Sequence, residues 1–269
     1  MKMKRIFAAA LAAVSLTGFA FAAGGDAHAP EQHEWSFAGP FGTFDRQSVQ
    51  RGFQIYQEVC ASCHTINLLS FRNLGEKGGP FESEEFPNPN DSPVIMQIAE
   101  NWQFPVEYID GETGQTEERA ARASDRIPGA FSNAAQARAS NGGAYPPDFS
   151  LLVKARGDGA NYIRSLLLGY EDHAPEDIHL SPGQYYNSYF SGGAIAMAPP
   201  LFEGSVNYAD GTEASMDQMA EDVVTFMVWA GDTHMEARKQ LGVMVLIFLF
   251  IFSILVYLAY RQVWANVKH

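Results

Sequence analysis

The chain has 269 residues, 46% of them hydrophobic, with 31 acidic against 18 basic side chains and a formal charge of -13. That acidic balance argues against nucleic acid as a partner. With only two cysteines, a multi-disulfide framework is excluded as well, so a hydrophobic core must carry the fold.

In chain order, Lys2, Lys4 and Arg5 precede an apolar stretch from Ile6 to Ala23, and Ala20-Phe21-Ala22 has the small-x-small pattern of a secretory cleavage site. Residues 1–22 read as a signal peptide. Its removal takes away three cations and no acid, leaving the exported part still more acidic. Residues 23–235 then form one periplasmic domain of about 210 residues, long enough for a substantial core.

Asp45 is placed to cap a helix whose apolar positions Val49, Phe53, Tyr56 and Val59 follow helical spacing and lead into Cys60-Ala61-Ser62-Cys63-His64. Cys-x-x-Cys-His is the attachment signal for a c-type haem, two thioethers plus an axial imidazole. On a helix the two sulfurs share a face and the imidazole follows them. A thioredoxin-like pair would come with a βαβ pattern that is missing here, and a zinc site needs further thiolates the chain lacks. One covalent haem c is the expected cofactor, and it consumes both cysteines.

Residues 75–93 are rich in glycine, proline and acids and read as an exposed loop. Ser92 and Pro93 supply the cap and first turn of a short helix through Val94, Ile95 and Ile98. Residues 101–144 have no clear period and receive no element. After Pro146-Pro147, Asp148 is placed to cap a helix carrying Leu151, Leu152 and Ala155, and a second helix from Asn161 to Leu168 ends at Gly169. Residues 170–206 form a long shaped loop. Two capping boxes follow: Ser215 to Gln218 starts a helix to about Trp229, and Thr233 to Glu236 starts the last one.

That last helix contains Leu241 to Tyr260, 20 residues without a charge. At about 1.5 Å per residue they cross the roughly 30 Å hydrocarbon layer. Tyr257, Tyr260 and Trp264 stand where interfacial aromatics are expected. Residues 236–269 are thus a membrane anchor, span about 241–260, with a short cytoplasmic tail. Cations flank the span on both sides, so orientation rests on the signal peptide. The expected fold is mainly α, a c-type cytochrome domain with long loops plus one C-terminal transmembrane helix.

A haem held by His64 on one side has an open face or a sixth ligand, and the two lead to different functions. Among the methionines, Met96, Met216, Met219, Met227 and Met235 fall on or beside helices, where packing explains them. Met197 stands instead in an irregular loop, Gly192-Gly193-Ala194-Ile195-Ala196-Met197-Ala198-Pro199-Pro200, stiffened by two prolines. A weak thioether ligand requires such stiffening. From this alone Met197 is either the second axial ligand or a packed loop methionine.

Several segments together carry a resemblance. They are RGFQIY at 51–56 before the haem signature, NGGAYPPDFS at 141–150, KAR at 154–156, SLLLGY at 165–170, AMAPPL at 196–201, DGT at 210–212 and the tail anchor. In these the chain resembles the cytochrome c1 family, the haem subunits of ubiquinol–cytochrome c oxidoreductase. The resemblance implies that Cys60 and Cys63 hold the haem vinyl carbons, that His64 and Met197 are the axial ligands, and that Arg156 faces a propionate. It also implies that Tyr162 and Asn141 lie at the haem rim, with Pro146 and Pro147 lining it. A guanidinium suits a buried propionate, whose desolvation is otherwise costly. Some bacterial members carry an extra cysteine pair near the methionine loop; this chain has none and resembles mitochondrial members there.

The same resemblance implies a place in the bacterial cytoplasmic membrane beside cytochrome b and a Rieske iron-sulfur protein, in a dimeric complex surrounded by membrane lipid. The haem would pass one electron from the Rieske protein to a soluble or tethered c-type cytochrome. Acidic clusters at 82–85, 117–118 and 171–177 either steer a basic partner or are plain solvated loops. Two other functions fit a tethered haem: a sensor, which would need an output segment beyond the anchor, and the haem subunit of a terminal oxidase or periplasmic dehydrogenase.

Overall fold

Asp45 opens helix α1 (Arg46–Ile55) as its spacing predicts, its carboxylate accepting the Gln47 and Ser48 amides. Val49, Phe53 and Ile55 turn inward and are buried. The computed structural model describes residues 27–266, so the signal-peptide reading of residues 1–22 lies outside the described residues. Within them are six α-helices and two short antiparallel ladders, a mainly α fold ending in one long apolar helix.

Past Ile55 the helix widens into a π turn over Tyr56–Cys60, closed by the Ala61 amide on the Tyr56 carbonyl at 2.7 Å. Such turns inside helices recur at functional sites, where they redirect side chains. Helix α2 (Pro93–Glu100) starts with Ser92 at the cap position and Pro93 in its first turn as expected, but the Ser92 side chain makes no cap bond; the helix buries Ile95 and Ala99.

The stretch 101–144, which showed no period, holds a hairpin of β1 (Val106–Ile109) and β2 (Thr116–Arg119), then helix α3 (Ala134–Ser140). The hairpin turn is built by Asp110, whose carboxylate accepts the Glu112 and Thr113 amides at 3.0 and 2.7 Å. Asp148 caps only a single 3-10 turn, Phe149–Leu151, rather than the predicted helix. Its other carboxylate oxygen is taken by the Thr65 hydroxyl and the Asn67 amide, which tie this segment to the loop after His64.

Helix α4 (Gly159–Leu168) ends at Gly169 as predicted. In the long loop after it, β3 (Tyr185–Tyr186) pairs with β4 (Ala194–Ile195). Helix α5 (Met216–Gly231) is capped by the Ser215 hydroxyl, which accepts the Gln218 amide. Helix α6 (Met235–Trp264) departs from expectation at its start: His234 occupies the cap position and makes no side-chain cap bond. Glu236 is drawn away from any capping box by more distant partners, the Phe44 amide at 2.7 Å and the Arg46 guanidinium at 2.6 Å. Thirty residues long and with none of its most apolar stretch buried, α6 is the transmembrane helix.

The core lies where α1 crosses α5. Phe53 and Tyr56 pack on Phe226 at 5.7 and 5.6 Å between ring centroids, Phe226 stacks on Trp229, and Trp102 closes the layer over Phe53, Tyr56 and Phe71. Gly52 permits this crossing, because a Cβ there would stand 2.0 Å from the Asp222 carbonyl oxygen and 2.6 Å from the Phe226 Cβ. Backbone cannot yield as a flexible side-chain end can. Gly52→Ala is therefore expected to destabilise the holoprotein by about 1–3 kcal/mol through overpacking, read as a lower thermal midpoint. An unchanged midpoint would show that the two helices separate without cost.

Candidate functional site: a haem-attachment corner

The α1 helix and its π turn deliver Cys60, and a tight turn follows in which the Cys63 and His64 amides both bond the Cys60 carbonyl, at 3.1 and 2.9 Å. This winding sets both sulfurs and the imidazole within one turn of chain. Cys60 and Cys63 are free thiols, not joined to each other. Burial pushes the Cys60 thiol up to about 12, with Cys63 adding to the rise, so the uncoupled side chain stays protonated at neutral pH.

His64 is 9% exposed. Its Nδ1 lies 2.8 Å from the Pro147 carbonyl oxygen. A carbonyl only accepts, so Nδ1 carries the proton and Nε2 keeps its lone pair free for a metal. This is the outer-shell bond expected of a ligating histidine. Burial lowers the imidazole's proton affinity, against the opposing pull of the Pro147 carbonyl and the Asp148 carboxylate. The ring lies 4.5 Å from that of Phe149, and the Tyr56 hydroxyl donates to the His64 carbonyl at 3.2 Å.

The loop after His64 is fastened to the 147–150 segment by several bonds. The Phe149 amide meets the Thr65 carbonyl at 2.8 Å, and the Leu68 amide meets the Ser150 hydroxyl at 3.0 Å. Asp148 is the hub: burial raises its pKa, but donors from Ser150, Thr65 and Asn67 outweigh that and hold the carboxyl below its usual range. A persistent carboxylate keeps the whole staple closed at neutral pH.

Of the other predicted site residues, Pro147 touches His64 directly and also lines an open cleft of about 280 Å³ with Leu68, Leu151, Ala155 and Arg156. Arg156 is exposed there, its Nη1 donating to the Ala155 carbonyl at 3.3 Å. Tyr162 is close enough to feel it: burial raises the phenol pKa and the Arg156 charge opposes the rise. Asn141 serves its own helix, donating to the Ala137 carbonyl at 2.7 Å as α3 ends.

Met197 is half-buried in a built loop. The Tyr170 hydroxyl donates to its carbonyl at 3.1 Å, and the preceding β4 strand is held on β3. Fully buried Asn187 fixes the base, bonding the Gly193 carbonyl through its amide and the Leu166 carbonyl through its side chain at 2.7 Å. The methionine loop is thereby docked on the end of α4. Sequence reasoning found the loop and missed Tyr170, Asn187 and Asp148 as its supports and those of the His64 loop; the SLLLGY and PPD segments were the signal.

The residues fit a covalent haem: two unpaired thiols three apart, and beside them a buried imidazole already presenting one bare nitrogen. Together with the apolar helix α6, they define a membrane-anchored c-type cytochrome. A family model described as the Cytochrome C1 family matches residues 35–267. The chain belongs to that family.

It is 43% identical over 241 residues to "Cytochrome c1, heme protein, mitochondrial" of Saccharomyces cerevisiae, covering 90% of this chain and 74% of that one. It is 38% identical over 278 residues to "Cytochrome c1" of Rhodospirillum rubrum, covering 96% and 97%. "Cytochrome b/c1" of Bradyrhizobium diazoefficiens is 42% identical over 255 residues, covering 88% of this chain, which spans only 36% of that longer protein. As a cytochrome c1 family member the chain carries one covalent haem c and acts in electron transport as the haem subunit of a bc1 complex. The sensor and alternative-enzyme readings are not favoured.

Proposed function

We propose that this chain receives one electron at a time from a Rieske iron-sulfur protein and hands it to a c-type cytochrome, within a dimeric membrane complex that also holds cytochrome b. Cys60 and Cys63 form the thioether bonds, and His64 and Met197 are the axial ligands. Arg156 partners a propionate, with Tyr162, Asn141 and Pro147 around the haem edge. The haem domain, residues 23–235, faces the periplasm after removal of the signal peptide 1–22, and α6 leaves the C-terminus in the cytoplasm.

The bound haem supplies one-electron chemistry through the ferrous and ferric states of its iron. The chain's own residues restrict it to that. Pro147 holds the proton on Nδ1 of His64, so the ligand nitrogen is always available and the ring cannot flip its tautomer. The stapled methionine loop limits the freedom of the Met197 thioether, which suits a weak ligand and favours the reduced metal. His64 and Met197 together would leave the iron no free position at which oxygen could bind.

The observation that carries this reading is the 2.8 Å contact between His64 Nδ1 and the Pro147 carbonyl, directly beside the paired thiols. The test is a redox titration with visible spectroscopy on the complex extracted in mild detergent. One low-spin c-type centre that does not bind carbon monoxide is expected, together with co-purifying b-type haem and an iron-sulfur protein. A five-coordinate high-spin centre would overturn the ligand assignment, and a copper oxidase or flavoprotein as companion would overturn the partners.

A further inference from the structure

Phe41 is 79% exposed, more than any other large apolar side chain among the described residues. Its setting is not a loose tail. The Thr43 amide bonds the Ser36 carbonyl at 3.1 Å and the Ala38 amide bonds the Trp35 carbonyl at 3.0 Å, closing a loop over 35–43. Trp35 stacks on Phe37 at 5.2 Å, and Phe37 packs on buried Phe44 at 5.6 Å. Gly42 allows the tight return, since a Cβ there would meet the Ala38 carbonyl oxygen at 2.0 Å. The neighbouring aromatics turn inward while the fold presents Phe41 to the outside.

The root of α6 holds this loop. Lys239 donates through Nζ to the carbonyls of Phe37 at 2.6 Å and Gly42 at 3.1 Å, the two residues that bracket the tip. Glu236 accepts the Phe44 amide at 2.7 Å and pairs with Arg46 at 2.6 Å. Leu241 begins the uncharged run, two residues after Lys239 and five after Glu236. At about 1.5 Å of rise per residue the loop is fastened roughly 3–8 Å before the hydrocarbon begins. The headgroup layer on each side of a bilayer is about 5–8 Å deep, the difference between its full and hydrocarbon thickness.

We propose that the 35–43 loop is a second membrane contact, seating Phe41 among the lipid headgroups beside the anchor helix. The occupant is lipid because the loop is continuous with the span itself: the same turn of α6 that holds the loop leads directly into the bilayer. An aromatic ring buried a few ångströms into the headgroup and acyl boundary is a stable arrangement. Two points of contact, the span and the foot, fix the tilt of the haem domain over the membrane, where a single helix would leave it free to rotate. The proposal rests on α6 crossing the bilayer and not on the haem ligands.

The test uses full-length holoprotein in phosphatidylcholine vesicles. With haem attached through Cys60 and Cys63, an introduced cysteine is the one reactive thiol. A nitroxide is placed in turn through Phe41→Cys, through Glu112→Cys in the exposed hairpin turn, and through Ser253→Cys in mid-span. Collision rates with oxygen, which concentrates in lipid, and with a water-soluble nickel chelate are then compared. The oxygen-to-nickel ratio is expected to be several-fold higher at position 41 than at 112, and highest at 253. A ratio at 41 equal to that at 112, with 253 still lipid-like, overturns the foot alone; a water-like 253 overturns the span and the foot together. In the assembled complex, exclusion of both reagents at 41 would assign Phe41 to a protein neighbour and likewise overturn the proposal.

Discussion

Replacing Met197 by leucine is expected to lower the haem midpoint potential by on the order of 0.1 V or more, a sizeable part of the range that axial ligands command. It is also expected to let carbon monoxide bind the reduced protein. A thioether stabilises the ferrous state, and leucine fills similar volume without a donor atom. The substitution removes the donor atom without touching the loop's hydrogen bonds, which run through backbone carbonyls and other side chains. Tyr170 grips the Met197 carbonyl, and Asn187 grips Gly193 and Leu166, so all three bonds survive in the variant. A redox titration and a carbon monoxide difference spectrum check it. An unchanged midpoint in a folded variant would remove Met197 from the iron and leave the sixth position to another group.

The haem-bearing corner was legible because its code is local. Cys60, Cys63 and His64 are written in five consecutive residues, and the Asp45 cap and the apolar positions before them follow helical spacing. The anchor was legible for the same reason, being a continuous run without charge. What the sequence did not disclose depends on partners far along the chain. Glu236 reads locally as the fourth residue of a capping box, yet its carboxylate is spent on Phe44 and Arg46, about 190 residues earlier. Asp148 reads as the start of a helix, yet it is shared with Thr65 and Asn67, and the helix stops after one 3-10 turn. The π turn at Tyr56–Cys60 leaves no mark in periodicity, because it is the last turn of the helix and no further apolar positions follow to reveal the change of phase. The hairpin at Val106–Arg119 was a missed signal: Asp110-Gly111 followed by Gly114 is turn chemistry that its charged, poorly alternating flanks concealed.

The acid with the largest consequence for stability is one that periodicity also hid, Asp222 in the middle of α5. Its side chain is completely buried and takes both arms of the Arg51 guanidinium, Nε at 2.8 Å and Nη2 at 2.9 Å, with Gln218 adding a third bond at 3.2 Å. Arg51 reaches Asp210 through Nη1 at 2.9 Å and lies over the Tyr208 ring. The Asp222 hydrogen bond, foremost, raises the Arg51 pKa against the cost of burial, so the guanidinium stays charged throughout. Asp222→Ala then strands a cation with only a partly exposed partner, at an expected cost of about 3–5 kcal/mol, against total stabilities of about 5–15 kcal/mol. Denaturant unfolding of the holoprotein measures it. Asp210→Asn is expected to cost far less, because that carboxylate is 36% exposed and water screens the pair. The double variant Arg51→Met with Asp222→Leu separates the two ways Asp222 can matter. If the loss in Asp222→Ala is the penalty of an uncompensated charge, the double variant recovers most of it; if the pair is needed to set the α1–α5 crossing, the double variant stays unstable. The crossing already has Gly52 and the Phe53, Tyr56 and Phe226 rings to define it, so recovery is the expected result.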